Sequence, residues 1–177
     1  MARSVAQNKL TGQSICGVVY FAFIVTKERT VPKITPFLWF DNNAYEAAQF
    51  YLALFPNSHL TAHQTNADGT TFTLTMSLDG REIHALNGGP YMTMNSAVSF
   101  MIDCADQAEV DHYYDAFAAG GTEQQCGWVV DRFGVTWQVV PVQLGEALGN
   151  PDPAKAQRAM QAMMGMKKLI VADLLNA

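Results

Sequence analysis

Basic charge is scarce in this sequence: 11 Lys and Arg stand against 16 Asp and Glu in 177 residues, a formal net charge of -5. A chain that follows a phosphate backbone needs cations clustered on one face, so nucleic acid is not an expected partner. Cysteine is short too. Cys16, Cys104 and Cys126 are odd in number, far apart and without a CxxC pair, which leaves neither a disulfide framework nor a thiolate zinc site and points to a reducing, cytoplasmic setting. The apolar run Ile15 to Val25 is too short to span a bilayer, so no membrane partner is expected. Arg3 and Lys9 precede that run as in an export signal, but no small-x-small cleavage site follows. Three readings of residues 1–32 stay open: a signal-like leader, an extra strand, or a translation start assigned upstream of the true one.

Apolar residues make up 49% of the chain, enough for a packed core. Ile34 to Phe40 reads as a buried strand, and Asp41-Asn42-Asn43 offers caps for a helix over Ala44 to Leu54, where Ala47, Ala48, Tyr51 and Leu54 recur at helical spacing. His59 to Ala67, Thr70 to Leu78 and Arg81 to Leu86 read as strands parted by the hairpin signals Asp68-Gly69 and Asp79-Gly80. The order then repeats at a spacing of roughly 60 residues. Ala97 to Cys104 is a strand, Asp106 to Ala119 a helix, and Thr122 to Gln125, Trp128 to Asp131 and Val135 to Val140 are strands. The expected fold is α+β: two βαβββ modules, about 33–90 and 96–141, inside a domain of 33–149. Each module has one curved sheet face to bury, and two of them make a half-barrel. A helical tail over 150–177 follows, with Asp152 as cap and Pro153 in the first turn. Its stripe of Ala156, Met160, Met163 and Met164 is expected to serve packing or a subunit contact.

Four stretches together are similar to one family: ITPFLWFDNNAYEAAQFYLALFPNS from Ile34, ALNGGP from Ala85, CGWVVDRFGVTWQVVP from Cys126 and DPAKAQRAMQAMMGMKK from Asp152. They resemble the PhnB-like proteins, often labelled 3-demethylubiquinone-9 3-methyltransferase domains, of the vicinal oxygen chelate superfamily that includes glyoxalases and bleomycin resistance proteins. The resemblance implies a paired βαβββ fold, a homodimer and a ligand site inside the curved sheet. Metal-dependent relatives place His, Gln or Glu on the first and last strands of each module. Carried over, those positions fall near Thr35, His84, Ala97 and Gln138, so no metal or other cofactor is expected, and His84 and Gln138 are the ligands only if a divalent ion is found. The methyltransferase label has no counterpart in a glycine-rich strand-to-helix turn for S-adenosylmethionine, and Asn87-Gly88-Gly89-Pro90 reads as a tight loop.

Two functions follow from these residues. One is a binding module that holds a small organic molecule in an aromatic-lined cleft, with Trp39, Asn87, Phe100, Cys126, Trp128, Trp137 and Gln138 as the ligand-binding candidates. The other is an isomerase, lyase or group transferase that uses His84 as its acid or base, with Glu82 on the same strand face to orient it. Asp131 and Arg132 read as turn residues, with Gly134 supplying a positive backbone angle.

Overall fold

The structure, a computed structural model, describes residues 34–177. The readings of the N-terminal extension lie outside the described residues. The first module runs β1 (Phe37–Phe40), α1 (Ala44–Leu54), β2 (His59–Thr65), β3 (Thr71–Leu78) and β4 (Arg81–Asn87). The second repeats it as β5 (Phe100–Cys104), α2 (Gln107–Ala118), β6 (Thr122–Glu123), β7 (Trp128–Val130) and β8 (Thr136–Pro141). The sheets have the matching orders β1-β4-β3-β2 and β5-β8-β7-β6, each with a parallel first-to-last pair and antiparallel hairpins. This is the expected pair of βαβββ modules.

Local chemistry sets the boundaries. In α1 the stripe Ala44, Ala47, Ala48 and Tyr51 is buried, at the spacing that carries one helix face over a sheet. Asn43 stands at its N-cap but supplies no side-chain bond. The cap comes instead from Asn87 at the end of β4, whose Oδ1 accepts the Ala44 N–H at 2.9 Å. In the β3–β4 turn both Asp79 (φ 44°) and Gly80 (φ 79°) are left-handed, the primed turn a two-residue hairpin loop favours. It pairs Leu78 with Arg81 and so fixes which residues of β4 face the helix. The entry strands are shorter than expected. Pro36 has no N–H to give a ladder, and Asn95 Oδ1 accepts the Ala97 N–H at 2.9 Å, which folds the start of the second module into a turn.

The two modules share one aromatic core within the unit Ile34–Ala177. Trp137 of β8 stacks on Phe117 of α2 (centroids 4.6 Å, 10°) and meets Tyr51 of α1 at 5.4 Å and Phe55 just past it at 5.4 Å.

The tail forms three helices: α3 (Gln143–Leu148), α4 (Pro153–Gly165) and α5 (Val171–Leu175). Asp152 caps α4, accepting the Ala154 N–H at 2.9 Å, with Pro153 in the first turn as expected. In the methionine stripe, Met163 packs against the tail's own core. Met160 and Met164 are 41% and 63% exposed, and the buried residue of α4 is Ala159. Ala159 packs with Ala147, Leu169 and Leu174, a contact between short helices where a small side chain permits close approach. Backbone bonds tie the tail to the second module: Cys126 N–H to Met166 O and Gly127 N–H to Lys167 O, both 2.7 Å. No helix among the described residues is long and apolar enough to cross a membrane.

Candidate functional site

Strand alternation sorts the first sheet into two faces. Leu74, Met76, Leu78, Ile83 and Ala85 are buried on the helix side. Thr75 and His84, directly paired across β3 and β4, point to the other side and remain half-buried. There the His84 ring is held from three directions. Its Nδ1 lies 3.2 Å from Thr75 Oγ1, its Nε2 lies 3.3 Å from Glu82 Oε1, and the Phe37 ring stacks on it at 5.9 Å with an 8° tilt. A histidine so oriented, with a carboxylate on one nitrogen, has the local geometry of an acid or base.

Phe37 also belongs to a groove of about 340 Å³ that runs between β1 and the start of β5. Phe37, Leu38 and Trp39 form one wall, Val98, Phe100, Val135 and Thr136 the other, and the segment Met92 to Asn95 closes an end. The lining is largely apolar, and the volume falls in the range of about 300–1,000 Å³ typical of small-molecule sites. Trp39 is fixed in the wall because its indole Nε1–H donates to Gly89 O at 2.8 Å. A Cβ on Gly88 would collide with the six-membered ring of that indole. Gly88 is therefore explained by the close approach of Trp39, and Gly89 by its left-handed backbone at φ 79°.

Of the candidates read from sequence, Trp39 and Phe100 meet in this groove, while His84 lies outside its lining and stacks on the wall residue Phe37. Asn87 is engaged inside the fold: besides capping α1, its Nδ2 donates to Asn42 O at 3.1 Å and Thr71 O at 3.0 Å. Trp137 is buried and donates through Nε1 to Asp131 at 2.9 Å. Gln138 pairs with Trp128 across β7 and β8, and its Nε2 donates to Ser99 Oγ at 2.7 Å. Cys126 sits at the tail junction with φ 61°. Thr35 and Ala97 precede β1 and β5. Among the described residues no group of three or more His, Cys, Asp or Glu converges as a metal-holding set.

The sequence reading does not include Phe37, Thr75 or Val98. Phe37 had a usable signal, since it lies two residues before Trp39 and so on the same strand face. Val98 had none, because its role comes from a turn that brings the second module beside β1.

The family model for 3-demethylubiquinone-9 3-methyltransferase matches residues 32–140. Among solved structures, the PhnB protein of Bacillus cereus is similar at 27% identity, TM-score 0.60, over 63% of this chain and 100% of that one. A Pseudomonas aeruginosa protein is similar in fold at 21% identity, TM-score 0.52, over 63% of this chain and 98% of its own. A looser likeness, TM-score 0.47 at 13% identity over 67% of this chain and 97% of that one, extends to the fosfomycin resistance protein FosX of Listeria monocytogenes, whose structure holds Mn(II) and sulfate. No curated protein matches the chain.

Proposed function

The chain belongs to the 3-demethylubiquinone-9 3-methyltransferase family, and from that footing we propose that it binds a small, largely apolar organic molecule in the groove between β1 and β5. The observation that carries this reading is the apolar groove itself, with His84 stacked on one of its wall residues. Phe37 serves both as groove wall and as stacking partner of the imidazole. An aromatic body fits between Phe37, Trp39 and Phe100, where apolar contact and ring stacking supply affinity. A polar end of the ligand reaches the His84 side.

A homodimer belongs to the same reading. Phe37 is 57% exposed and Val98 77%, so the groove rim carries apolar surface that a ligand or a second copy covers. Sedimentation equilibrium of the purified chain tests it, and a monomer at tens of micromolar, on the scale where stable dimers persist, removes it.

A thermal-shift screen of aromatic and amphipathic compounds tests the groove. Binding raises the melting temperature because the ligand prefers the folded state. The expected pattern is a response from apolar aromatics that disappears in Phe37→Ser. A flat screen, or a response untouched by that substitution, defeats the reading.

The orientation of His84 favours a second reading, an enzyme in which His84 transfers a proton, with or without a divalent ion. Elemental analysis of protein purified without chelator distinguishes the two. Stoichiometric metal that disappears in His84→Ala supports the enzyme, and metal-free protein with turnover-independent binding supports the module.

A further inference from the structure

On the other side of Phe100 lies a second groove, of about 420 Å³, with different chemistry. Its floor is apolar, made by Leu78, Ile83, Ile102 and Trp137. Phe55 and Tyr113 form an aromatic wall, their rings stacked at 5.2 Å and 24°. Asp79 from the β3–β4 turn, Asp103 from β5 and Glu109 from α2 stand around the mouth, with Arg81 the one cation among the lining residues. Three carboxylates against one guanidinium leave the mouth net negative, and the first groove has no charged residue in its lining.

Tyr113 is the telling group. Its ring is largely buried, at 9% exposure, and lines the groove, while its hydroxyl is left open rather than sealed in the core. A phenol oxygen so placed is an acceptor for whatever occupies the groove. The acidic field is felt by the groups behind the wall. Burial first, then Glu109, Cys104 and Asp79, hold the Tyr113 phenol above its usual range. Burial, followed by Glu109, Asp103 and Asp106, pushes the Cys104 thiol up to about 12. Such a field disfavours anions and favours a cation, and an ammonium gains further from the Phe55 and Tyr113 ring faces.

We propose that this groove is a second binding site, for a small primary ammonium ion with an aromatic or alkyl body: the body lies on Phe55 and Trp137, the ammonium donates to the Tyr113 oxygen and faces Asp103 and Glu109. This site stands apart from the reading of the first groove and does not depend on it.

The test is titration of the full chain with 2-phenylethylammonium, followed by Trp fluorescence and by NMR line broadening of the ligand, with 3-phenylpropionate as the anionic counterpart. The cation is expected to bind and the anion not. Asp103→Asn lowers the cation's affinity about threefold, the size of a partly screened charge contact. Tyr113→Phe, which keeps the ring and removes the acceptor, lowers it by a similar factor of about three. Arg81→Gln raises it, because a like charge leaves the mouth. Asp103 and Arg81 are exposed and change no core contact, so the two opposite shifts are readable in folded protein. Phe37→Ser leaves cation binding unchanged, which keeps the two grooves distinguishable. Absence of cation binding at millimolar concentration, equal binding of the anion, or shifts of the same sign at Asp103 and Arg81 overturns the proposal.

Discussion

Tyr51 on α1 donates a 2.6 Å hydrogen bond from its hydroxyl to Asp131 Oδ2 at the β7–β8 turn, so the two modules are joined by a buried phenol and a buried carboxylate. Asp131 is 4% exposed and accepts three more donors: Trp137 Nε1 at 2.9 Å and the backbone N–H groups of Phe133 at 2.8 Å and Val135 at 3.0 Å. Four donors take the place of water around the carboxylate. The turn role expected for Asp131 is present in its bonds to residues 133 and 135, and Gly134 has the expected positive φ of 87°. The bonds to Tyr51 and Trp137 add the link between modules.

Asp131→Asn is therefore expected to destabilise by about 2–3 kcal/mol, because the amide nitrogen faces two donors, and Tyr51→Phe by about 1–2 kcal/mol. The double variant should lose less than the sum, by about 0.5 kcal/mol or more, since the two side chains share one bond. Urea denaturation of the four proteins measures this. Strict additivity would mean that the bond does not hold the modules together.

The same cluster shows what was legible in sequence. Both modules, α1 to its end residues and both hairpin signals were readable, because helical spacing, strand alternation and Asp-Gly turns are local. Asn87 as the cap of α1 was not readable: Asn43 sits at the cap, while the bond comes from a residue 43 positions from Ala44 that the parallel β1–β4 pair delivers. The six-residue α3 was missed because Gln143–Leu148 contains Gly145 and is too short to show a period; packing on α4 and α5 supplies its stability. At the site, the sequence marks Trp39 and Phe100 as aromatics on strands, but that they share a groove depends on the packing of one module on the other.

Alkaline pH should weaken the fold through Cys104. Its thiol, pushed up to about 12 chiefly by burial, keeps its proton in the folded state, while an unfolded thiol releases it near about 8.5. Between those values the folded chain binds the extra proton, so stability falls as pH rises, by up to about 1.4 kcal/mol per unit, and is flat below that window. Above about 10 the raised Tyr51 and Tyr114 phenols act in the same direction. Urea midpoints at pH 8.0, 9.0 and 10.0, roughly spanning the thiol's window, should show a shallower decline for Cys104→Ala than for wild type. Parallel declines would place the alkaline loss elsewhere.

Gly88→Ala separates the two roles of the Trp39 loop. The added methyl collides with the Trp39 ring, so the indole must leave its place and its 2.8 Å bond to Gly89 O. A loss of about 1–3 kcal/mol is expected, the usual cost of overpacking, together with a red shift of Trp emission and lost binding of any ligand of the first groove. Binding retained at unchanged affinity would show that Trp39 is not part of that wall.

Backbone bonds and ion pairs both tie the tail to the second module, and two substitutions set these against each other. Lys168 Nζ lies 3.0 Å from Asp111 and 2.7 Å from Asp115, but Asp115 is 63% exposed, and pairs of that kind contribute about 0–1 kcal/mol. Gly127, by contrast, has φ 81°, donates its N–H to Lys167 O, and leaves no room: a Cβ there would lie 2.7 Å from Val139 O and 3.0 Å from Leu169 Cδ1. Leu169 is fully buried in the tail's own core, so pressure on it is transmitted to α4 and α5. Gly127→Ala should therefore speed hydrogen exchange across residues 166–175 by at least about tenfold, the equivalent of about 1.4 kcal/mol of local opening. Lys168→Gln should change it by less than about fivefold. If the lysine variant frees the tail and the glycine variant does not, the ion pairs hold it and the close approach at Gly127 is incidental.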